Sequence, residues 1–191
     1  MLAVIAFGTV SSAAIDLDIT PDEVDRAIAI GRRGEPGFHA DYVRTIDATV
    51  DTITVERVEI VTPYRRIVLH AEARRRVGDV VVGRADVEPL LREWRNRVSV
   101  LTTVRFHPQN LLASVPPIEA KVHDPILGRA IEPLDVVRKP ITRIGTNRPL
   151  LGSTIETIFD AGLLASVNGT IAVTLGGKEL ARTAMDFRAI E

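Results

Sequence analysis

The chain has 191 residues, 46% apolar and 26% charged, with a formal net charge of −1. This is a globular composition without a global field that would draw nucleic acid or an acidic membrane surface. Cysteine is absent, which removes disulfides, thiol nucleophiles, thiolate-bound zinc and iron–sulfur clusters.

MLAVIAFGTVSSAA, residues 1–14, reads as an export signal without its basic start: Leu2 to Val10 form the apolar run, and Ser12 and Ala14 occupy the small positions before a cleavage site. Export to the periplasm or the extracellular space follows if that segment is removed. If Met1 is the true start and the segment is retained, the chain stays in the cytoplasm. No apolar run approaches the roughly 20 residues that span a bilayer, so no transmembrane span is expected in the mature chain. Residues 15–191 are expected to form a single α+β domain, helix-rich over 20–96 and strand-rich over 98–188.

TPDEVDRAIAIGRR predicts a helix capped by Thr20, with Pro21 in the first turn and Glu23 completing a capping box. Val24, Ala27, Ile28 and Gly31 recur at helical spacing on one face, and Gly34 should end the helix. FHADY follows, where His39 and Asp41 are the nearest approach to a metal-ligand pair; an ordinary loop or strand start explains them better. VDTITVERVEIV is rich in β-branched residues and predicts a strand, with a bulge where its apolar phase slips between Val55 and Val58.

TPYRRIVLHAEARRR predicts a second helix, capped by Thr62 and burying Tyr64, Ile67, Val68 and Ala71. On the helical wheel its five arginines scatter instead of forming a stripe, which argues against a nucleic-acid face, and Arg65 and Arg66 are expected to lie off the apolar side. Tyr64, Arg65 and Arg66 are nevertheless the candidate ligand-binding group, because an aromatic and two guanidinium groups near a helix start suit an anion. His70 and Glu72, two residues apart, should point to different sides of this helix. A shorter helix around ADVEPLLREW is expected, with Asp86 as its cap and Pro89 confined to the first turn.

Beyond Arg97 the texture changes to short strands: VSVLTTVRF, IEAKVHD, GRAIEPLDVV, STIETIFD, GTIAVTL and ELARTAMDF. Gly176-Gly177 marks a hairpin turn, and Leu180 and Phe187 can both point inward only if the last strand carries a bulge. FHPQNLLASVPP reads as a crossing loop. The expected fold is therefore α+β, two or three N-terminal helices packed on a mainly antiparallel C-terminal β-sandwich or barrel-like sheet formed mainly by residues 98–188.

Charge is uneven along the chain. Residues 15–59 carry 11 acidic and 5 basic groups and residues 60–105 carry 5 and 10, which predicts that the two segments pack beside each other. The four histidines, His39, His70, His107 and His123, show no paired metal-ligand spacing, and no nucleophile elbow or phosphate loop occurs. The acidic run from Asp16 to Asp25 lacks the spacing of a calcium loop. No catalytic, metal or cofactor site is assigned. The expected function is an exported, non-enzymatic binding or structural protein of the bacterial cell envelope, taking a protein or an anionic envelope ligand. The alternative is an envelope hydrolase whose His, Asp and Arg residues meet only in three dimensions.

Overall fold

The computed structural model describes residues 18–79, 81–143 and 149–190; the expected export segment lies outside them. Helix α1 (Pro21–Arg33) opens with the expected capping box, Thr20 Oγ1 accepting from the Glu23 amide at 3.3 Å and the Glu23 carboxylate accepting from the Thr20 amide at 2.7 Å. Gly34, at φ 66°, closes it in the left-handed conformation that glycine adopts without strain. Helix α2 (Pro63–Arg76) is capped by Thr62, whose hydroxyl accepts from the Arg65 amide at 3.1 Å. The apolar faces of the two helices meet, Val24, Ala27 and Ile28 packing with Tyr64, Ile67 and Val68. Gly31 sits at the closest approach: a Cβ there would lie 2.6 Å from the Ala71 Cβ and overlap the Val68 carbonyl oxygen.

Helix α3 (Arg84–Glu93) differs from expectation at its start. Gly83 is the cap residue, and Asp86 sits one turn inside, accepting from the Gly83 amide at 2.7 Å. Pro89 lies in the helix interior, so the Ala85 carbonyl receives no amide hydrogen from it; the helix is short, and Pro89 is on its exposed side. Among the described residues no helix is long and apolar enough to cross a membrane.

The strands form two antiparallel sheets. The first has five strands in the order β1 (Val43–Val50), β2 (Ile53–Val61), β3 (Arg97–Phe106), β7 (Gly152–Asp160), β6 (Asp135–Ile141). The second has four, in the order β5 (Arg129–Ile131), β4 (Ile118–Asp124), β8 (Asn168–Leu175), β9 (Lys178–Asp186). A short helix, α4 (Ala161–Leu164), follows β7. The 107–117 loop carries the chain from the first sheet to the second, as its prolines suggest. Val55, Val58, Val100, Ile155 and Phe159 of one sheet enclose a core with Val122, Ile171, Val173 and Met185 of the other.

The fold is α+β with a sheet-rich C-terminal part. Seven of the nine described strands, β3 to β9, lie within residues 97–186, as expected, and β1 and β2 join the first sheet from the N-terminal third. The expected β2 bulge is present, the register with β3 shifting between Val55 and Arg57. So is the terminal hairpin, with Gly176 at φ 56° and Gly177 at φ 86°. The register of β8 with β9 slips between Val173–Ala181 and Thr174–Glu179, making Leu180 the extra residue, and Leu180 and Phe187 are both buried.

Candidate functional site at the helix–sheet seam

Arg65 and Arg66 leave α2 in different directions. Against expectation Arg65 is 2% exposed. Its Nη1 donates to the Ile60 carbonyl oxygen at 2.5 Å, its Nη2 donates to Glu59 Oε2 at 3.0 Å, and the Tyr42 ring centre lies 5.1 Å from its Cζ. A long aliphatic stem with a fully bonded head can be buried on a face that a wheel of charges assigns to water. Arg66 Nη2 donates to Ser99 Oγ at 2.5 Å and to Glu156 Oε1 at 2.6 Å, and Ser99 Oγ donates to the same carboxylate at 2.9 Å. Its guanidinium stacks 3.2 Å from the Trp94 ring centre. Tyr64 packs inside the helical core with Arg26 over its ring. The three candidate ligand-binding residues therefore do not converge on one surface, and an anion arriving there would have to displace Glu59 or Glu156.

The seam's electrostatics follow from its burial. Burial pushes the Glu156 carboxyl up, but hydrogen bonds from Arg66 and Ser99 and the nearby Lys139 outweigh it and hold the group below the usual carboxylate range. Burial likewise lowers both guanidinium groups from their ordinary value, opposed by Glu59 for Arg65 and by Glu156 for Arg66.

His39 stands on a 3-10 turn (Pro36–Tyr42) and pairs with Glu72, not with Asp41. Its Nε2 lies 2.8 Å from Glu72 Oε1, and its Nδ1 faces Arg65 Nε at 3.4 Å. Because Arg65 Nε only donates, Nδ1 is the acceptor and Nε2–H the donor to Glu72. A carboxylate-oriented imidazole is one half of a general-base pair, yet the nitrogen that would act is turned toward a guanidinium. The pairing spans 33 residues and left no trace in local spacing. His70 Nε2 is buried and has no hydrogen-bond partner among the described residues, His107 is exposed, and His123 lies half-buried on β4. Among the described residues no three His, Asp or Glu side chains are grouped to hold a metal ion.

The uneven charge resolves into cross-segment pairs. Arg65 meets Glu59, Arg84 meets Asp25 at 2.7 Å, Arg95 meets Asp18 at 3.3 Å, and Arg105 meets Glu56 at 2.7 Å. The basic segment is thus neutralised by the acidic one at these four positions.

Among the described residues three surface concavities lie away from the seam, one of about 440 Å³ being lined by Asn110, Leu111, Leu112 and Pro149. A groove of about 350 Å³ runs between Ile19, Pro63 and Leu91, with its cations Arg92 and Arg95 paired to Glu88 and Asp18. A smaller, more enclosed cup of about 180 Å³ is lined by Leu127, Ala130, Ile131 and Leu163 together with Arg129 and Glu132. Leu127 and Leu163 are exposed there, and among the described residues Arg129 and Glu132 take part in no ion pair.

No protein family, curated protein or solved structure matches the chain. The functional reading therefore rests on the geometry of its own residues.

Proposed function

We propose that the chain is an exported, non-enzymatic binding or structural protein of the bacterial cell envelope, which meets a protein partner at the cup between Leu127 and Leu163. The observation that carries this reading is the cup itself. It presents exposed apolar side chains beside one cation and one anion that form no ion pair among the described residues, a composition suited to a protein surface of mixed charge and unsuited to a polyanion. The internal engagement of Arg65, Arg66, Ser99 and His39 supports a structural role for those groups. Export draws on residues 1–14.

Photo-crosslinking in intact cells tests the contact. A probe at Leu127 should give a discrete protein adduct that a probe at Arg92 does not, and that Leu163→Asp abolishes. Identical adducts from both positions would remove the cup from the reading. N-terminal sequencing of envelope-fraction protein should begin near Ile15; an intact Met1 in the cytosol removes export. The His39–Glu72 pair favours the second reading, an envelope hydrolase, and ester or phosphoester turnover abolished by Glu72→Gln would establish it.

A further inference from the structure

The molecule has two apolar cores. The helical core and the sandwich core are distinct, and among the described residues Phe38 is the side chain that packs against both. Helix layers usually dock on sheets through apolar burial. Here polar contacts surround that one bridge. Helix α2 contributes Arg65, Arg66, Glu72 and Arg76; the 3-10 turn contributes His39; β2 contributes Arg57 and Glu59. Strand β3 contributes Ser99, β6 Lys139, β7 Glu156, and α3 places Trp94 and Glu93 beside Arg66.

A buried ion pair of this kind fixes geometry well but tolerates the loss of one charge poorly, because the remaining charge is left without water. Protonating Glu156 would leave the Arg66 cation in the seam, where its Nε has no hydrogen-bond partner among the described residues and Lys139 approaches from the sheet. Protonating His39 would set an N–H at Nδ1 against the Arg65 Nε donor, although it would strengthen the contact with Glu72. Releasing the guanidinium groups from the sheet relieves the strain at the expense of Phe38 packing, while each core keeps its own interior.

We propose that the seam is an acid-releasable joint: the layer formed by α1, α2 and α3 separates from the sandwich on acidification while both remain folded. The sign follows from Glu156. A carboxyl held below its unfolded value stabilises the docked state at neutral pH, and that contribution disappears as pH falls through the folded value. The joint is closed at neutral pH and opens below the usual carboxylate range.

Trp94, the sole tryptophan, is a built-in reporter because the Arg66 guanidinium under its ring is held from the other side of the joint by Ser99 and Glu156. The full chain is titrated with acid while Trp94 fluorescence and hydrogen-exchange protection of β3, β7 and β8 are followed. The expected result is a Trp94 transition while the strand amides remain protected. Glu156→Gln, which fixes the neutral form, should push the transition so far toward neutral pH that the joint is already open at pH 7. Glu119→Gln, at an exposed carboxylate of β4, should leave it in place. Should Glu156→Gln fail to fold, Ser99→Ala removes one hydrogen bond from the carboxylate and should shift the transition in the same direction. Loss of Trp94 and strand signals together at every pH, or variants that follow the wild-type curve, overturns the proposal.

Discussion

Arg65 and Arg66 are neighbours on one helix, yet their guanidinium groups anchor to different strands, Arg65 to the end of β2 and Arg66 to β3 and β7. Successive helical side chains diverge by about 100°, so two adjacent arginines straddle the line where α2 meets the first sheet. That placement gives the two residues unequal weight. Arg65→Met strands the Ile60 carbonyl, the His39 acceptor and part of the Glu59 charge in the interior, and should cost about 3–5 kcal/mol. Arg66→Met leaves Glu156 with Ser99 and Lys139 and should cost less. Urea midpoints compared at unchanged slope measure the difference; equal losses, or a stable Arg65→Met chain, would contradict the burial of Arg65.

Gly31 is the contact point of α1 with α2. A methyl group there meets the Val68 carbonyl oxygen and the Ala71 Cβ, both held by the helix backbone, so neither yields as a flexible side-chain tip would. Gly31→Ala ordinarily raises helix propensity. Here it should destabilise by about 1–3 kcal/mol through overpacking. Pairing it with Ala71→Gly should recover part of the loss, and a thermal melt of the three chains separates steric conflict from propensity.

The terminal hairpin depends on positive φ at both turn residues. Replacing Gly176 and Gly177 with valine forces β-branched side chains into the left-handed region and should cost several times the roughly 1 kcal/mol of a typical point change. The damage should concentrate on amide protection in β8 and β9. An unchanged melting temperature would mean that the turn does not hold the register that buries Leu180.

Local rules were enough to read the caps at Thr20 and Thr62, the β2 bulge and the glycine turn, because in each case neighbouring residues determine the geometry. Strand β1 escaped them. It is an edge strand in which Ile46, Ala48 and Val50 alternate with polar residues but are only partly buried, and its register with β2 shifts where Asp47 takes φ 52°. The seam escaped for another reason: Glu156 lies 90 residues from Arg66, and Glu72 lies 33 from His39. Wheel reasoning placed Arg65 in water because it counts a charge as exposed. It takes no account of a carbonyl and a carboxylate waiting at the end of the preceding strand.

His39 tests the seam from its other end. Its two nitrogens are matched to a donor on one side and an acceptor on the other, an arrangement available only to the neutral ring with hydrogen on Nε2. Nitrogen-15 NMR at neutral pH should therefore show that tautomer. Glutamine carries both a donor and an acceptor and can keep part of the arrangement, so His39→Gln should be mild. Leucine keeps neither; it leaves Glu72 with Arg76, at 3.6 Å, as its ion-pair partner among the described residues and should cost about 1–3 kcal/mol for the stranded buried acceptor. Equal stability of the two variants would mean that the ring contributes packing alone. The opposite tautomer would mean that Arg65 Nε does not donate to it, which would detach His39 from the seam.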